Sequence, residues 1–180
     1  MSKEEIKENY EVNILDKYHD LSNFTCGSQD LDDFLKEQSL NDSSKKFNVT
    51  YLIICSEEII GYFTLLSDSI ELRSIHEKIG GYKKFPAIKL GRFGIHENYQ
   101  GKGLGTHILN NIIDNILDIS EKICVRFMTV DAYAQAYYFY VEKNNFQYYK
   151  SENKNIDKID KIIEKDRERN IALYRDLAKL

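Results

Sequence analysis

One short segment constrains the fold of this chain more than any other. It is a loop with three glycines, Gln100-Gly101-Lys102-Gly103-Leu104-Gly105, between an apolar β-type run at 87–95 and a stretch with Ile and Leu at helical spacing. Glycine lets the backbone turn tightly and approach a ligand, and the first N–H groups of a helix have no partner inside it. The segment therefore predicts a strand, a turn and a helix start that can hold a pyrophosphate.

Two other phosphate-binding loops do not fit this segment. A P-loop needs Gly-Lys-Ser/Thr four residues after its first glycine, and that pattern is missing. A dinucleotide fingerprint needs a second βαβ half, which is also missing around this mid-chain loop. The remaining alternative is a glycine turn that only lets the following helix pack against the strand.

The other elements predict one domain over residues 1–180, a single mixed α/β layer. Strands are predicted at 11–15, 49–55, 59–66, 87–95, 125–130, 146–149 and 171–177, and helices start after Ser28, after the glycine loop and at Ala134. Residues 41–46 are predicted as a polar connection. Gly61 is predicted to permit a bulge or close packing in its strand. Residues 153–169, dense in both charge signs, are predicted as one amphipathic helix.

Composition narrows the function classes. The formal net charge of −4 argues against a strongly basic nucleic-acid binder, although a local basic patch of Lys45, Lys46, Lys83, Lys84 and Lys89 remains open. The His and Cys residues show no ligand spacing, so no metal is expected. The charged start of the chain lacks the apolar core of a signal peptide, and no apolar run could span a bilayer. We therefore expect a cytoplasmic protein without a membrane partner.

The glycine loop and its neighbours resemble the acetyl-CoA signature of GNAT acetyltransferases, Q/R-x-x-G-x-G/A, through Gln100, Gly103 and Gly105. Ala136, Tyr140 and Phe146 echo a later family element, in which Asn145 replaces a glycine and Tyr133 replaces an asparagine. The resemblance implies a GNAT fold with one mixed, mostly antiparallel central sheet flanked by helices. It also makes residues 153–169 an insertion before the last strand.

Three further segments resemble the GNAT toxins of type II toxin–antitoxin systems. They are Phe24-Thr25-Cys26-Gly27 with Leu31-Asp32-Asp33-Phe34-Leu35, then Gly61-Tyr62-Phe63-Thr64-Leu65, and Leu90-Gly91-Arg92-Phe93. This resemblance implies acetyl-CoA as donor, the α-amine of aminoacyl-tRNA as acceptor, and a ribbon-helix-helix antitoxin as partner. Alternatives left open are a GNAT enzyme for a small amine or a protein amine, and a CoA-binding regulator without catalysis. A homodimer is also left open.

The resemblance implies the roles of the site residues. Tyr140 becomes the general acid for the leaving thiolate. Arg92 is a substrate contact or a solvent-facing strand residue, and Asp131 a base acting through water or the N-cap of the next helix. The expected cofactor-binding residues are Phe93, Gly94, Ile95, Gln100, Gly101, Lys102, Gly103, Leu104, Gly105 and Thr106.

Overall fold

A computed structural model describes residues 3–179 of the chain. Met1, Ser2 and Leu180, the ends of the predicted domain, lie outside the described residues. The chain divides into two compact units. Unit 1 comprises the chain up to Leu66 together with Leu90–Ile108, and unit 2 comprises Ser67–Lys89 and the chain from Leu109 onward. The single domain over 1–180 stays a prediction.

Seven strands within the described residues form one sheet in the order β1-β2-β3-β4-β5-β7-β6. The pairs β1–β2, β2–β3, β5–β7 and β6–β7 are antiparallel. The predicted α/β fold with a mixed sheet is confirmed. The strands are β1 Glu11–Ile14, β2 Val49–Cys55, β3 Glu58–Glu71, β4 Lys84–Ile95, β5 Phe127–Tyr133, β6 Gln147–Tyr148 and β7 Asn170–Asp176.

A first helix precedes β1 and was not predicted, and the later helices follow the strands in the predicted order. The α-helices are α1 Lys3–Asn9, α2 Gln29–Asp33, α3 Ser39–Ser44, α4 Leu104–Ile123, α5 Tyr137–Asn144, α6 Asn153–Ile156 and α7 Ile159–Lys165. A π-helix covers Phe34–Gln38, and 3-10 turns cover Leu72–Ser74, Glu97–Tyr99, Ala134–Ala136, Lys150–Glu152 and Leu177–Lys179. In the described part of the chain, no helix has both the length and the apolar character to cross a membrane.

The core of unit 1 lies between the β2–β3 hairpin and the α2–π-helix segment. Leu52 and Tyr62 pack there with Phe24, Phe34 and Leu35, all of them buried. Burial of such side chains is typically worth about 1.5–3 kcal/mol each, so this contact fixes the helical segment on the hairpin.

Gly61 allows the hairpin to come close to β4, as predicted. A Cβ on Gly61 would lie 2.9 Å from the carbonyl oxygen of Gly94, closer than any side chain tolerates. A bulge accompanies it, because Ile53 pairs with Gly61 while Ile54 pairs with Ile59, which leaves Ile60 as the extra residue.

The core of unit 2 contains a buried polar network. Tyr174 packs edge-to-face on Phe127, and its hydroxyl donates to Glu77 Oε2 at 2.7 Å. Lys179 Nζ donates to the other oxygen of Glu77 at 2.7 Å. Burial alone would raise the pKa of Glu77, but these hydrogen bonds outweigh it and the pKa is lowered. The network joins the segment after β3 to the end of the chain.

A π-helical turn follows α2, and one side chain explains it. The backbone N–H of Ser39 donates to the carbonyl of Phe34, five residues earlier. The buried Ser39 hydroxyl donates to the carbonyl of Leu35 at 2.6 Å, where an α-helix would use the backbone N–H of Ser39. The hydroxyl therefore frees that N–H for the wider turn.

Two predicted segments differ in the structure. Residues 41–44 are helical rather than a polar connection, because the helix that begins at Ser39 continues to Ser44, whose hydroxyl donates to the carbonyl of Asn41 at 2.7 Å. The predicted helix over 153–169 is split into α6 and α7 at Asp157 and Lys158. Asn and Asp favour turns over helix interiors, and Lys158 leaves the helical region with φ of −129° and ψ of 20°, while its N–H closes α6 on the carbonyl of Asn155 at 3.0 Å. The insertion itself stays a prediction.

Candidate active site

The glycine loop leads from β4 into α4, as predicted. Gly101 and Gly103 have φ of 73° and 71°, the left-handed region that favours glycine. The first bond of the helix joins His107 N–H to Gly103 O at 3.4 Å. The N–H groups of the preceding positions therefore have no acceptor inside the helix, and they suit the oxygens of a pyrophosphate.

Gln100 tethers the loop to the rest of unit 1. Its side-chain Nε2 donates to the carbonyl of Ile95 at 2.7 Å and to the carbonyl of Cys26 at 2.8 Å. The amide joins the end of β4 to the segment before α2. Gln100 was predicted as a cofactor contact, and that role stays a prediction. Its side-chain nitrogen supports the loop from within the protein.

Lys102 is also held at the rim of the loop. Its Nζ donates to the carbonyl of Asn98 at 3.0 Å and lies 5.9 Å from the centre of the Tyr99 ring. The Tyr99 hydroxyl in turn donates to Glu58 Oε2 at 2.6 Å. This lysine places a positive charge beside the helix start, where it adds to the attraction for phosphate.

The end of β4 packs closely against the core of unit 1. A Cβ on Gly94 would lie 3.0 Å from the Tyr62 ring and 3.3 Å from Cys26 Sγ. Gly94 therefore lets the strand lie directly on the unit 1 core. The predicted residues Phe93, Gly94 and Ile95 share unit 1 with the loop and with Arg92.

Cys26 belongs to a tether between α2 and this site. Its backbone N–H donates to Asp32 Oδ1 and the hydroxyl of Thr25 to Asp32 Oδ2, both at 2.9 Å. Burial, followed by the hydrogen bond with Asp32, raises the pKa of the Cys26 thiol to about 12. The thiol is neutral at physiological pH, so Cys26 packs and does not act as a nucleophile. Ser28 stands at the N-cap position, but its side chain makes no capping bond.

Arg92 lies over an aromatic ring rather than pointing freely into solvent. Its guanidinium carbon is 4.8 Å from the centre of the Phe34 ring. One terminal nitrogen donates to the carbonyl of Gly91 at 3.1 Å, and the Asp30 carboxylate is 4.0 Å from Nε. Nε is buried and makes no hydrogen bond to any described residue. No local sequence pattern pointed to Phe34 or Asp30 as partners of this arginine.

Tyr140 lies in unit 2, on α5. It is 6% exposed and packs edge-to-face on Phe139 and Phe146, with ring centres 5.0 and 5.3 Å away. Burial raises the pKa of its phenol, which keeps the proton on the oxygen at neutral pH. Among residues 3–179, no hydrogen-bond partner is seen for the hydroxyl. Asn145 follows with φ of 55°, the left-handed turn expected where the family has glycine.

The structure decides against one of the two roles considered for Asp131 from sequence, the N-cap, and the role of a base acting through water stays a prediction. Asp131 lies inside β5, where Lys89 Nζ donates to its Oδ2, so it is not the N-cap of the following helix. Tyr133 takes that cap position. Lys89 is thus engaged within unit 2, which also holds Lys83 and Lys84, whereas Lys45 and Lys46 belong to unit 1.

Comparisons with known proteins agree on one family. Residues 13–146 match the model of the acetyltransferase (GNAT) family. The tRNA-acetylating toxin of Mycobacterium tuberculosis (strain ATCC 25618 / H37Rv) is 26% identical over 125 residues, which are 68% of this chain and 75% of the toxin.

Two solved structures share the fold. AtaT complexed with acetyl-methionyl-tRNAfMet has a TM-score of 0.77 and 22% identity, covering 95% of this chain and 96% of that one. A mutant AtaT toxin bound to the C-terminus of the antitoxin AtaR and to acetyl-CoA has a TM-score of 0.72 and 22% identity, with 95% of each chain covered.

Proposed function

Because the chain belongs to the acetyltransferase (GNAT) family, it is an N-acetyltransferase that uses acetyl-CoA, and we propose that its acceptor is the α-amine of aminoacyl-tRNA. The observation that carries this proposal is the likeness to a tRNA-acetylating toxin over 125 residues of the chain. The segments around Cys26, Gly61 and Arg92 that resemble such toxins all lie in unit 1, together with the glycine loop.

The donor side of the reaction rests on the glycine loop. Gly101 and Gly103 shape the turn, and the open N–H groups at the start of α4 would bind the pyrophosphate of acetyl-CoA. The backbone of Phe93, Gly94 and Ile95 would bind the pantetheine arm. Bound acetyl-CoA supplies the thioester that the amine attacks. Gln100 contributes by fixing the loop to β4 and to the segment before α2.

We assign Tyr140 the role of general acid. Acetyl transfer forms the new amide bond and breaks the thioester. The attacking nitrogen loses one proton to solvent, and the leaving thiolate gains one from the general acid. Burial keeps the Tyr140 phenol protonated at neutral pH, and among the described residues none forms a hydrogen bond with its hydroxyl. General acid catalysis of this kind typically contributes ~10²- to 10⁴-fold.

The chemistry of the acceptor fits an α-amine. An α-amino group has a pKa of about 7.7–8.0, against about 10.4 for lysine. A useful fraction of an aminoacyl ester is therefore unprotonated at neutral pH, and attack needs no dedicated base. Asp131, the carboxylate considered for that role, already accepts a hydrogen bond from Lys89.

The experiment incubates the protein with labelled acetyl-CoA and a set of charged tRNAs. Mild alkali then cleaves the aminoacyl ester, and the released amino acid is analysed. We expect label on the amino acid, no label with uncharged tRNA, and little label with Tyr140→Phe. Label found only on polyamines or protein amines would reject the tRNA acceptor and leave the acetyltransferase activity intact.

The proposal also covers the cellular location of the protein and its protein partner. Charged tRNA and acetyl-CoA meet in the cytoplasm, so we place the protein there. AtaT has been solved with the C-terminus of an antitoxin, and we propose an antitoxin for this chain too. The ribbon-helix-helix type of that antitoxin and a homodimer stay predictions. Growth arrest on expression, relieved by the product of an adjacent reading frame, would support this part.

A further inference from the structure

The guanidinium group of Arg92 lies over the ring of Phe34 in unit 1. The guanidinium carbon lies 4.8 Å from the centre of the Phe34 ring. Phe34 itself stacks on Tyr62, with ring centres 6.5 Å apart and planes at 17°. The Tyr62 hydroxyl donates to the carbonyl of Leu31 at 2.8 Å, which anchors this stack in the core.

Arg92 stays only partly covered in this stack. Its side chain is 37% exposed, while Nε is buried without a hydrogen bond to any described residue. A terminal nitrogen is fixed by the Gly91 carbonyl at 3.1 Å. Guanidinium groups are weakly hydrated and stack on aromatic planes, so an arginine held in this way can offer its uncovered part to a second flat group.

The local charge favours a neutral ligand over an isolated anion. Asp30 lies 4.0 Å from Arg92 Nε and offsets part of the positive charge. A free phosphate would have to overcome that carboxylate, whereas a nucleobase is neutral and stacks on the guanidinium plane. Bases of single-stranded RNA ends are commonly recognised by stacking on aromatic rings and arginine planes.

The π-helical turn puts Phe34 in position. Phe34 opens the turn, and the Ser39 hydroxyl stabilises it by replacing one backbone donor. π-Helical turns inside α-helices frequently occur at functional sites. Phe34 is 4% exposed, and its ring lies beneath the Arg92 side chain, which is 37% exposed.

We propose that the Phe34–Arg92 stack is the platform for the terminal base of the acceptor RNA, the adenine that carries the aminoacyl ester. This inference rests on the proposed function. The proposal assigns recognition of the substrate's base to unit 1, where Arg92 lies on the same strand as Gly94.

The test compares three acceptors: aminoacyl-tRNA, a 3′-aminoacyl-adenosine, and the methyl ester of the same amino acid, which lacks the nucleoside. Arg92→Lys keeps the charge and loses the plane. Stacking of one base is worth a ~5- to 150-fold change, and we expect a loss of that order in kcat/KM for both adenosine-bearing acceptors. Activity on the methyl ester should be unchanged.

Two more variants sharpen the result. Phe34→Leu keeps an apolar side chain and loses the ring, and should reproduce the selective loss if its thermal unfolding stays near wild type. Lys17→Gln removes an exposed charge of the same unit that lies outside the predicted basic patch, and it should leave activity on all three acceptors unaffected.

The outcomes separate the two proposals. Equal losses of activity on the methyl ester and the adenosine acceptors, or no loss with Arg92→Lys, would overturn the platform. The proposed function would still stand if the wild-type protein acetylates aminoacyl-tRNA. Wild-type protein that acetylates only the methyl ester would overturn both.

Discussion

Replacing Gln100 by alanine tests whether this residue supports the loop or contacts the cofactor. The change removes both hydrogen bonds from Nε2, those to the carbonyls of Cys26 and Ile95. Each such bond contributes about 0.5–1.5 kcal/mol net, and because Gln100 is largely exposed we expect a loss near the lower end, ~1–2 kcal/mol in the free energy of unfolding.

The same free energy limits the effect on binding. Loss of the tether lets the loop leave its binding geometry in a fraction of the molecules. The apparent Kd for acetyl-CoA is then the intrinsic Kd divided by the fraction that keeps the binding geometry. A loss of ~1–2 kcal/mol corresponds to a weakening of at most about 5- to 30-fold. Urea unfolding gives the stability, and calorimetry gives the Kd.

Gln100→Glu adds a pH-dependent arm. A carboxylate facing two carbonyl oxygens favours its protonated form, so the folded-state pKa of the new Glu should be raised. With a raised pKa, the variant is most stable at low pH and loses stability as pH rises through that pKa. We therefore expect a larger deficit against wild type at pH 8 than at pH 5.

Gln29→Ala is the matched control. Its Nε2 donates to Asp33 Oδ1 in an exposed pair, and such surface changes usually stay within about ±0.5 kcal/mol. Our interpretation is refuted if Gln100→Ala keeps wild-type stability but loses acetyl-CoA binding, because the side chain would then contact the cofactor directly.

Four other predictions follow from the structure. Tyr140→Phe should lower kcat by ~10²- to 10⁴-fold with unchanged acetyl-CoA affinity, and a fully active variant would make Tyr140 a packing residue. Gly103→Asp should abolish acetyl-CoA binding in calorimetry while circular dichroism shows the fold intact, since Asp tolerates the left-handed region and brings a charge that repels phosphate. Gly61→Ala should cost roughly 1–3 kcal/mol in urea unfolding, whereas Gly80→Ala, with open space around its Cβ, should cost little. Because the folded pKa of Glu77 is lowered, its ionised form stabilises the fold above its unfolded pKa, and the stability gap between wild type and Glu77→Gln should close as pH falls through the folded pKa.

Local sequence patterns predicted the parts of the site that depend on neighbours in the chain. The glycine loop, its helix start and the close approach at Gly61 each follow from backbone freedom at a named position. Contacts over long separations were not predictable in the same way. The Arg92–Phe34 stack joins residues 58 positions apart and depends on a π-helical turn, and the Lys89–Asp131 pair needs two strands in register.

The helix over 153–169 shows the limit of periodicity. Ile156, Ile159, Ile162 and Ile163 share one helical face, but the structure divides the segment at Asp157 and Lys158. A pattern of apolar residues records burial, and two short helices can bury the same residues as one long helix. The turn tendency of Asp157 and the non-helical backbone of Lys158 decide between them.

The π-helical turn affects how related sequences should be aligned around residues 34–38. A π-helical turn accommodates one more residue than an α-helical turn over the same stretch. A relative with a regular α-helix here would therefore carry one residue fewer between 34 and 38, and an ungapped alignment would shift everything on one side of the turn by one position. In such a protein the residue beneath the arginine would be matched with Asp33 or Leu35. The aromatic partner of Arg92 should thus be identified by superposing coordinates, and a single-residue deletion in 34–38 would rotate the preceding turn by about 100°, one residue of helix.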